Sequence, residues 1–244
     1  MRDFLPDNSL QVQVSWTHSQ AFRRFRVRQK AEIVTMGVAD VDPLITVGTY
    51  VDPVDWNSLI DDQATLVVDT RNKYEVTIGS FEGAFNPHTD TFREFPARVE
   101  DWLRPLVKEK RPKRIAMFCT GGIRCEKATS YLQKNGFSDV YHLHGGILRY
   151  LEEIPETQSR WKGECFVFDK RVALNHELSP GVHRLCYACG YPLNPEQRNS
   201  SSYVRGVQCH HCELRFNNQD KERFAERQRQ IDECCRKSLE DHES

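Results

Sequence analysis

The sequence predicts an α/β domain with a mainly parallel sheet and flanking helices, followed by a small cysteine-rich C-terminal lobe. Three observations predict this architecture. Short apolar runs typical of buried strands alternate with helical patterns between residues 46 and 155. One of these strands ends in a glycine-containing loop that carries a cysteine. Two Cys-x-x-Cys pairs lie farther along the chain, where the apolar periodicity fades.

Three apolar runs predict the central strands, namely TLVVD (65–69), RIAMF (114–118) and VYHL (140–143). A fourth short strand is expected at 84–87. The stretch 92–110 is largely helical in pattern, although Pro96 and Pro105 complicate its limits. A second helix is predicted from about Cys125 to Asn135, because Ala128, Tyr131 and Leu132 stand on one face. The segment 163–174 predicts two short extended pieces, and the chain ends in a charged helix with a polar tail.

Composition indicates a globular protein with an apolar core, since 39% of residues are hydrophobic and 28% are charged. The formal net charge of −1 gives no sign of a nucleic-acid partner by itself. No stretch approaches the roughly 20 apolar residues of a membrane helix, and the first residues lack a secretory pattern. We therefore expect a cytoplasmic protein with no membrane partner, in which nine cysteines serve thiol chemistry and metal binding.

Five basic residues lie between Arg23 and Lys30. They alternate with Phe25 and Val27, which predicts a strand with one apolar and one basic face, and LQVQVSW (10–16) before it also alternates like a strand. Two interpretations stay open. The charges can protect a solvated edge strand from aggregation, or they can form a surface for a phosphate backbone.

The loop Cys119-Thr120-Gly121-Gly122-Ile123-Arg124 carries the chemistry that the sequence predicts. Its small residues let backbone N–H groups turn inward as an anion-binding nest. The positive end of the following helix points at the same place, and Arg124 adds a full charge. Together these features lower the pKa of a thiol. Cys119 is therefore predicted to be a reactive thiolate, and the alternative is a buried, inert cysteine.

Spacing separates this loop from a phosphatase loop. A cysteine phosphatase needs Cys-x5-Arg to surround a phosphate, whereas here Cys125 occupies that place and Arg124 stands one residue earlier. The shorter ring suits a smaller sulfur or oxyanion ligand. Cys125 itself either resolves an oxidised or persulfidic Cys119 as a disulfide or packs beneath the loop, and packing or support of the loop is the favoured interpretation.

The two Cys-x-x-Cys pairs have the spacing of a four-cysteine zinc ribbon. Nineteen residues separate Cys186-x-x-Cys189 from Cys209-x-x-Cys212. A lobe of this size buries little apolar area and needs such a crosslink. We predict a structural zinc-ribbon-like site with no catalytic role. Reduced thiols or disulfides are the alternative.

Several motifs together resemble the rhodanese superfamily: VVDTR, IGSFEGAFNP, MFCTGGIRC and YHLHGG. This resemblance implies a rhodanese-like domain over 46–155, with Cys119 as the persulfide-forming residue. Asp69 and Arg71 would flank its pocket, although a structural ion pair explains them equally well.

More specific motifs resemble the oxygen-dependent tRNA uridine(34) hydroxylases, namely TGGIRCEKA, FREFP, HLHGGIL, FVFDKRVA and the paired cysteines. That family implies C5 hydroxylation of the wobble uridine with molecular oxygen, and tRNA as partner. Residues 1–45 would then be the final portion of an N-terminal α/β domain, and 156–244 a cysteine-rich region with a charged terminal helix. In this reading Arg71, Arg124 and the basic residues near 23–30 would meet RNA.

Two other functions stay open at this stage. A sulfurtransferase needs only Cys119 and its loop, but it leaves the cysteine-rich lobe unexplained. A noncatalytic tRNA- or protein-binding module would not need an intact Cys119 loop. The sequence shows no glycine-rich dinucleotide fingerprint for a flavin or nicotinamide cofactor, and no iron triad stands out.

Overall fold

A parallel sheet of four strands lies at the centre of the fold. The structure is a computed structural model that describes residues 17, 20–22, 24 and 26–240, with side chains as far as Arg236. The sheet strands are β1 (Thr49–Val51), β2 (Thr65–Asp69), β4 (Arg114–Phe118) and β5 (Val140–Leu143). Their order is β1-β5-β4-β2, and every pairing is parallel. The bounds of β2, β4 and β5 confirm the three predicted strands.

Helices connect and cover these strands. They are α1 (Pro53–Ile60), α2 (Lys73–Val76), α3 (Phe95–Arg98), α4 (Arg104–Lys110), α5 (Ile123–Lys134) and α6 (Gly146–Glu153). The predicted helical stretch 92–110 is confirmed, with changes of pitch along it. A 3₁₀ turn (Phe92–Glu94) leads into α3, and a π-helical turn (Val99–Leu103) precedes α4. Pro105 cannot donate a backbone hydrogen bond, which accounts for the irregular turn before it.

The core has two layers, one on each face of the sheet. Leu66 and Val68 of β2 pack with residues of α3 and α5, whereas Val67 faces α1 and α6. This alternation follows from the two-residue period of a strand. The predicted apolar face of α5 is confirmed, because Ala128, Tyr131 and Leu132 are all buried. Burial of each large apolar side chain stabilises the fold by roughly 1.5–3 kcal/mol.

Two predicted strands are wrong. At 84–87 the chain forms only an isolated parallel bridge between Phe85 and Val68, because the segment leaves the sheet edge after one pairing. Residues 26–30 form no strand, and Val27 is 82% exposed, so its side chain has no apolar face to pack on. The predicted strand at 10–16 and Phe25 lie outside the described residues.

The chain after α6 begins by pairing with the preceding domain. Strand β3 (Gly79–Phe81) pairs antiparallel with β6 (Trp161–Gly163). The contact is close, since a Cβ on Gly163 would lie 2.3 Å from the carbonyl oxygen of Ile78. The hairpin β7 (Cys165–Phe166) and β8 (Ala173–Leu174) confirms the two predicted extended pieces.

The C-terminal lobe is small and rich in loops. Its elements are β9 (Arg184–Leu185), β10 (Pro192–Leu193), α7 (Pro195–Arg198) and the long α8 (Asn218–Glu240). A small cluster around Leu193 includes three buried cysteines. The helix α8 confirms the predicted charged helix. The predicted polar tail from residue 241 lies outside the described residues. No helix of the described part of the chain is both long and apolar enough to cross a bilayer.

Candidate active site

The Cys119 loop lies between the end of β4 and the start of α5. The helix begins at Ile123, two residues earlier than predicted, because the Gly122 carbonyl accepts from the Glu126 N–H. Gly122 has φ of +90°, which glycine adopts at little cost. Its N–H donates to Cys119 Sγ over 3.2 Å. The loop therefore curls around the sulfur, and residue Cys119 is only 2% exposed.

A second glycine turn closes the loop from below. A Cβ on Gly146 would lie 2.6 Å from both the carbonyl oxygen of Cys119 and the amide of Gly122. The N–H of Ile147 donates to the Cys119 carbonyl over 2.9 Å. Gly146 belongs to the YHLHGG motif. The glycines of this motif therefore support the backbone of the Cys119 loop.

Arg124 is held by a buried carboxylate. Its guanidinium donates to both oxygens of Glu75 over 2.6 and 2.7 Å. Thr120 Oγ1 donates to the same carboxylate over 3.3 Å, and the N–H of Asn72 donates to it over 3.1 Å. Glu75 is fully buried and Arg124 is 9% exposed. The sequence motifs predict no role for Glu75, although its place three residues after Asn72 marks a capping box.

The loop favours the thiolate form of Cys119. Burial opposes ionisation, but the Cys125 thiol, the Arg124 charge and two backbone N–H groups outweigh it and lower the pKa of Cys119 to about 6. The N–H groups belong to Cys125 and Arg124 at the start of α5. The electrostatics therefore agree with the reactive thiolate that the sequence predicts.

Cys125 lies beside Cys119 and has the opposite tendency. It is fully buried, and its Sγ lies 3.4 Å from Thr70 Oγ1. Burial raises the pKa of Cys125 well above its usual value, and the hydrogen bond with Cys119 raises it further. Cys125 thus stays a neutral thiol that can donate to the Cys119 sulfur. This geometry supports the favoured interpretation, in which Cys125 supports the loop.

Asp69 and Arg71 form an ion pair beneath the site. Arg71 donates to Asp69 over 2.6 Å and to the Gly79 carbonyl over 2.6 Å, and both side chains are fully buried. The Arg71 guanidinium also lies 5.1 Å from the ring centre of Trp161. These contacts join β2 to the β3–β6 pair and favour the structural alternative. The expectation that Arg71 meets RNA is wrong, because its side chain has no exposed surface.

The four predicted metal ligands come together in the C-terminal lobe. The sulfurs of Cys186, Cys189, Cys209 and Cys212 all lie within 4.8 Å of one another. Three of the six sulfur–sulfur distances, those of the pairs 186–212, 189–209 and 209–212, are 3.8–4.0 Å. A tetrahedral zinc with Zn–S bonds of about 2.3 Å places its sulfurs about 3.8 Å apart. The four cysteines are therefore grouped closely enough to hold one metal ion. Cys234 and Cys235, in contrast, lie exposed on α8.

Comparison with known proteins gives a consistent result. Residues 52–153 match the family model of the rhodanese-like domain, in agreement with the fold class. The chain is 65% identical over 224 residues to the tRNA uridine(34) hydroxylase of Parasynechococcus marenigrum (strain WH8102), with 92% of this chain and 70% of that protein aligned. It is 63% identical over 233 residues to the tRNA uridine(34) hydroxylase of Prochlorococcus marinus (strain MIT 9313), covering 96% and 75%.

Two solved structures each resemble less than half of this chain. A rhodanese-related protein from Thermoplasma volcanium is 24% identical with a TM-score of 0.34, over 43% of this chain and 92% of that one. A thiosulfate sulfurtransferase from Pseudomonas aeruginosa is 17% identical with a TM-score of 0.34, over 44% and 18%.

Proposed function

Because this chain belongs to the tRNA uridine(34) hydroxylase family, we propose that it hydroxylates the wobble uridine of tRNA at C5, giving 5-hydroxyuridine. The observation that carries this proposal is the 65% identity over 92% of the chain. We further propose that the enzyme acts in the cytoplasm, together with its tRNA substrate. The reaction replaces the C5–H bond of the base by C5–OH. One atom of molecular oxygen enters the base, and the other leaves as water with two electrons and two protons from an external reductant.

Cys119 is the proposed catalytic residue. Its lowered pKa makes it a thiolate at neutral pH, and a thiolate is the nucleophilic form of cysteine. The Gly122 N–H and the start of α5 surround the sulfur with positive charge. The same groups can stabilise negative charge on a sulfur or oxygen atom bonded to Cys119. The residues Thr120 to Arg124 shape this nest, and Cys125 supports it from below.

In this proposal Arg124 provides a positive charge near Cys119, and Glu75 fixes the orientation of its guanidinium. Two short hydrogen bonds fix the guanidinium in one orientation. A charge fixed before the reaction needs no reorganisation when charge develops nearby, which is the source of most electrostatic catalysis. Asp69 and Arg71 hold the strand ends in register around this arrangement.

Zinc is the proposed occupant of the four-cysteine site. Four thiolates complete a tetrahedron and leave no open position for substrate, so zinc would supply folding energy only. The residues that would hold it are Cys186, Cys189, Cys209 and Cys212.

Sulfur transfer is the second candidate function. It is favoured by the match of residues 52–153 to the rhodanese-like domain and by the loop around Cys119. Thiosulfate-to-cyanide transfer by the purified protein measures it directly. Turnover with thiosulfate, combined with no modification of tRNA, would favour this function over hydroxylation.

Complementation in cells tests the main proposal. A bacterial strain that lacks 5-hydroxyuridine in its tRNA receives the wild-type gene, Cys119→Ser or Cys235→Ser. Mass spectrometry of digested tRNA is expected to find the modification with wild type and with Cys235→Ser, whose cysteine is exposed on α8. Cys119→Ser is expected to lose it. Equal modification by all three chains would refute the role of Cys119, and no modification by any would refute the activity.

A further inference from the structure

An aromatic groove of about 510 Å³ lies between the rhodanese-like domain and the C-terminal lobe. Residues 73, 74 and 90 line it on one side, and residues 166 and 168 of the β7–β8 hairpin line its floor. The C-terminal lobe forms the opposite wall. That wall includes Leu185, Tyr191, His211 and Arg215. The proposed roles of the Cys119 loop and the zinc site leave this groove unexplained.

Phe168 connects the groove with the Cys119 site. Its ring centre lies 5.9 Å from the Arg124 guanidinium, whose charge acts on Cys119. Phe168 is nevertheless 62% exposed. One edge contacts Phe166, with ring centres 5.2 Å apart. A large aromatic side chain with an open face beside a reactive site offers a stacking surface to a flat ligand.

The hairpin holds Phe168 in this exposed position. Asp169 and Arg171 form a 2.6 Å ion pair across the turn. The Val167 N–H donates to the Val172 carbonyl over 2.9 Å. Val172 has φ of +68°, an unfavourable conformation for a β-branched residue. Such strain persists only where surrounding contacts impose it, and it concentrates at functional sites. The turn corresponds to the FVFDKRVA motif.

The rest of the groove repeats the same chemistry. Tyr191 and His211 stack with ring centres 3.6 Å apart. Tyr74 contacts Phe166 edge to face, with ring centres 5.2 Å apart. Lys73 and Arg215 supply positive charge, and Asp90 neutralises part of it through a 2.7 Å ion pair with Lys73. Aromatic faces interleaved with cations are what single-stranded nucleic acid recognition requires, because every base has a π-face and every linkage a phosphate.

We propose that this groove binds the unpaired nucleotides of the tRNA anticodon loop, with one base stacked on Phe168 next to the Cys119 loop. A neighbouring base then packs against the stacked Tyr191–His211 pair, and the phosphates face Lys73 and Arg215. Paired bases in a stem keep their faces covered, so the groove selects the loop over the stem. This inference rests on the proposed function, which supplies tRNA as the substrate.

Binding of a 17-nucleotide anticodon hairpin to the full chain tests the proposal. Fluorescence anisotropy gives the dissociation constant for wild type, Phe168→Leu, Phe168→Tyr and the control Tyr187→Leu. Tyr187 is as exposed as Phe168, at 62%, and lies outside the groove lining. Phe168→Leu is expected to weaken binding about 5- to 150-fold, the range that one lost base–aromatic stack gives. Phe168→Tyr restores stacking and is expected to bind like wild type. A fully paired duplex of the same composition is expected to show no dependence on Phe168.

The outcomes separate this inference from the proposed activity. Equal affinities of Phe168→Leu and Tyr187→Leu for the hairpin would overturn the proposed role of the groove, provided that circular dichroism shows both variants to be folded. An equal effect on hairpin and duplex would also overturn it. Formation of 5-hydroxyuridine by wild type is measured in parallel. Its presence together with unchanged hairpin binding by Phe168→Leu would refute the groove alone. Its absence together with weakened binding would refute the activity alone.

Discussion

Replacement of Glu75 by glutamine tests whether the buried ion pair organises the Cys119 site. The carboxylate accepts from Arg124 through both oxygens and also from Thr120 and Asn72. Glutamine keeps one acceptor oxygen and turns an amide N–H₂ toward the guanidinium. The variant therefore places donor against donor and removes the only carboxylate that accepts hydrogen bonds from the buried Arg124 guanidinium among the described residues.

The expected loss of stability is large. Removing one partner of a buried pair costs about 3–5 kcal/mol, compared with a total stability of about 5–15 kcal/mol for a domain. For a chain of this length, about 2–4 °C of melting temperature corresponds to each kcal/mol. The midpoint of thermal unfolding should therefore fall by roughly 6–20 °C.

Urea unfolding followed by tryptophan fluorescence measures the loss in the free energy of unfolding. Glu153→Gln is the matched control, because Glu153 pairs with Arg149 over 2.7 Å on the surface of α6 with both side chains about one third exposed. Such a pair contributes about 0.5 kcal/mol or less. A loss below about 1 kcal/mol for Glu75→Gln, equal to that of the control, would refute the account of a desolvated pair.

Two further predictions concern the sulfurs. The rate of Cys119 alkylation by iodoacetamide should rise with pH and reach half of its plateau near pH 6, because only the thiolate reacts and the pKa of Cys119 is lowered to about 6. Mass spectrometry of the modified peptide measures this rate. A midpoint near the ordinary pKa of a thiol would contradict the lowered pKa. The purified chain should contain one zinc ion by elemental analysis. Removal of the zinc by a chelator should increase amide hydrogen exchange in residues 184–216, while residues 65–69 and 114–118 stay protected. Full protection of residues 184–216 in metal-free protein would contradict the zinc site.

The sequence predicted the central strands because buried parallel strands are short, continuous apolar runs. The runs that became β2, β4 and β5 have that form, and the same reasoning located Cys119 at the end of β4. The four cysteines were found by spacing alone, since a Cys-x-x-Cys pair fixes its own geometry. Both patterns depend only on residues that are close together in the chain, so they can be recognised without knowledge of the tertiary contacts.

Features that depend on tertiary contacts escaped prediction. The role of Glu75 depends on Arg124, which lies 49 residues away in the chain. The segment around Val27 alternates like a strand, but the described residues give it no neighbouring strand. The exposure of Phe168 results from a strained turn at Val172, and no periodicity indicates such a turn. Each of these features depends on what the folded chain places opposite the residue.

The most direct test of the central claim is a reaction of the purified chain with unmodified tRNA under oxygen-18 gas, with a thiol reductant as the electron source. Mass spectrometry of the digested tRNA should find 5-hydroxyuridine that carries one heavy oxygen atom with wild type and with Cys235→Ser. With Cys119→Ser the yield should fall at least about a thousandfold, as expected for loss of a catalytic nucleophile. Equal labelling by Cys119→Ser would contradict the assignment of Cys119 as the catalytic residue.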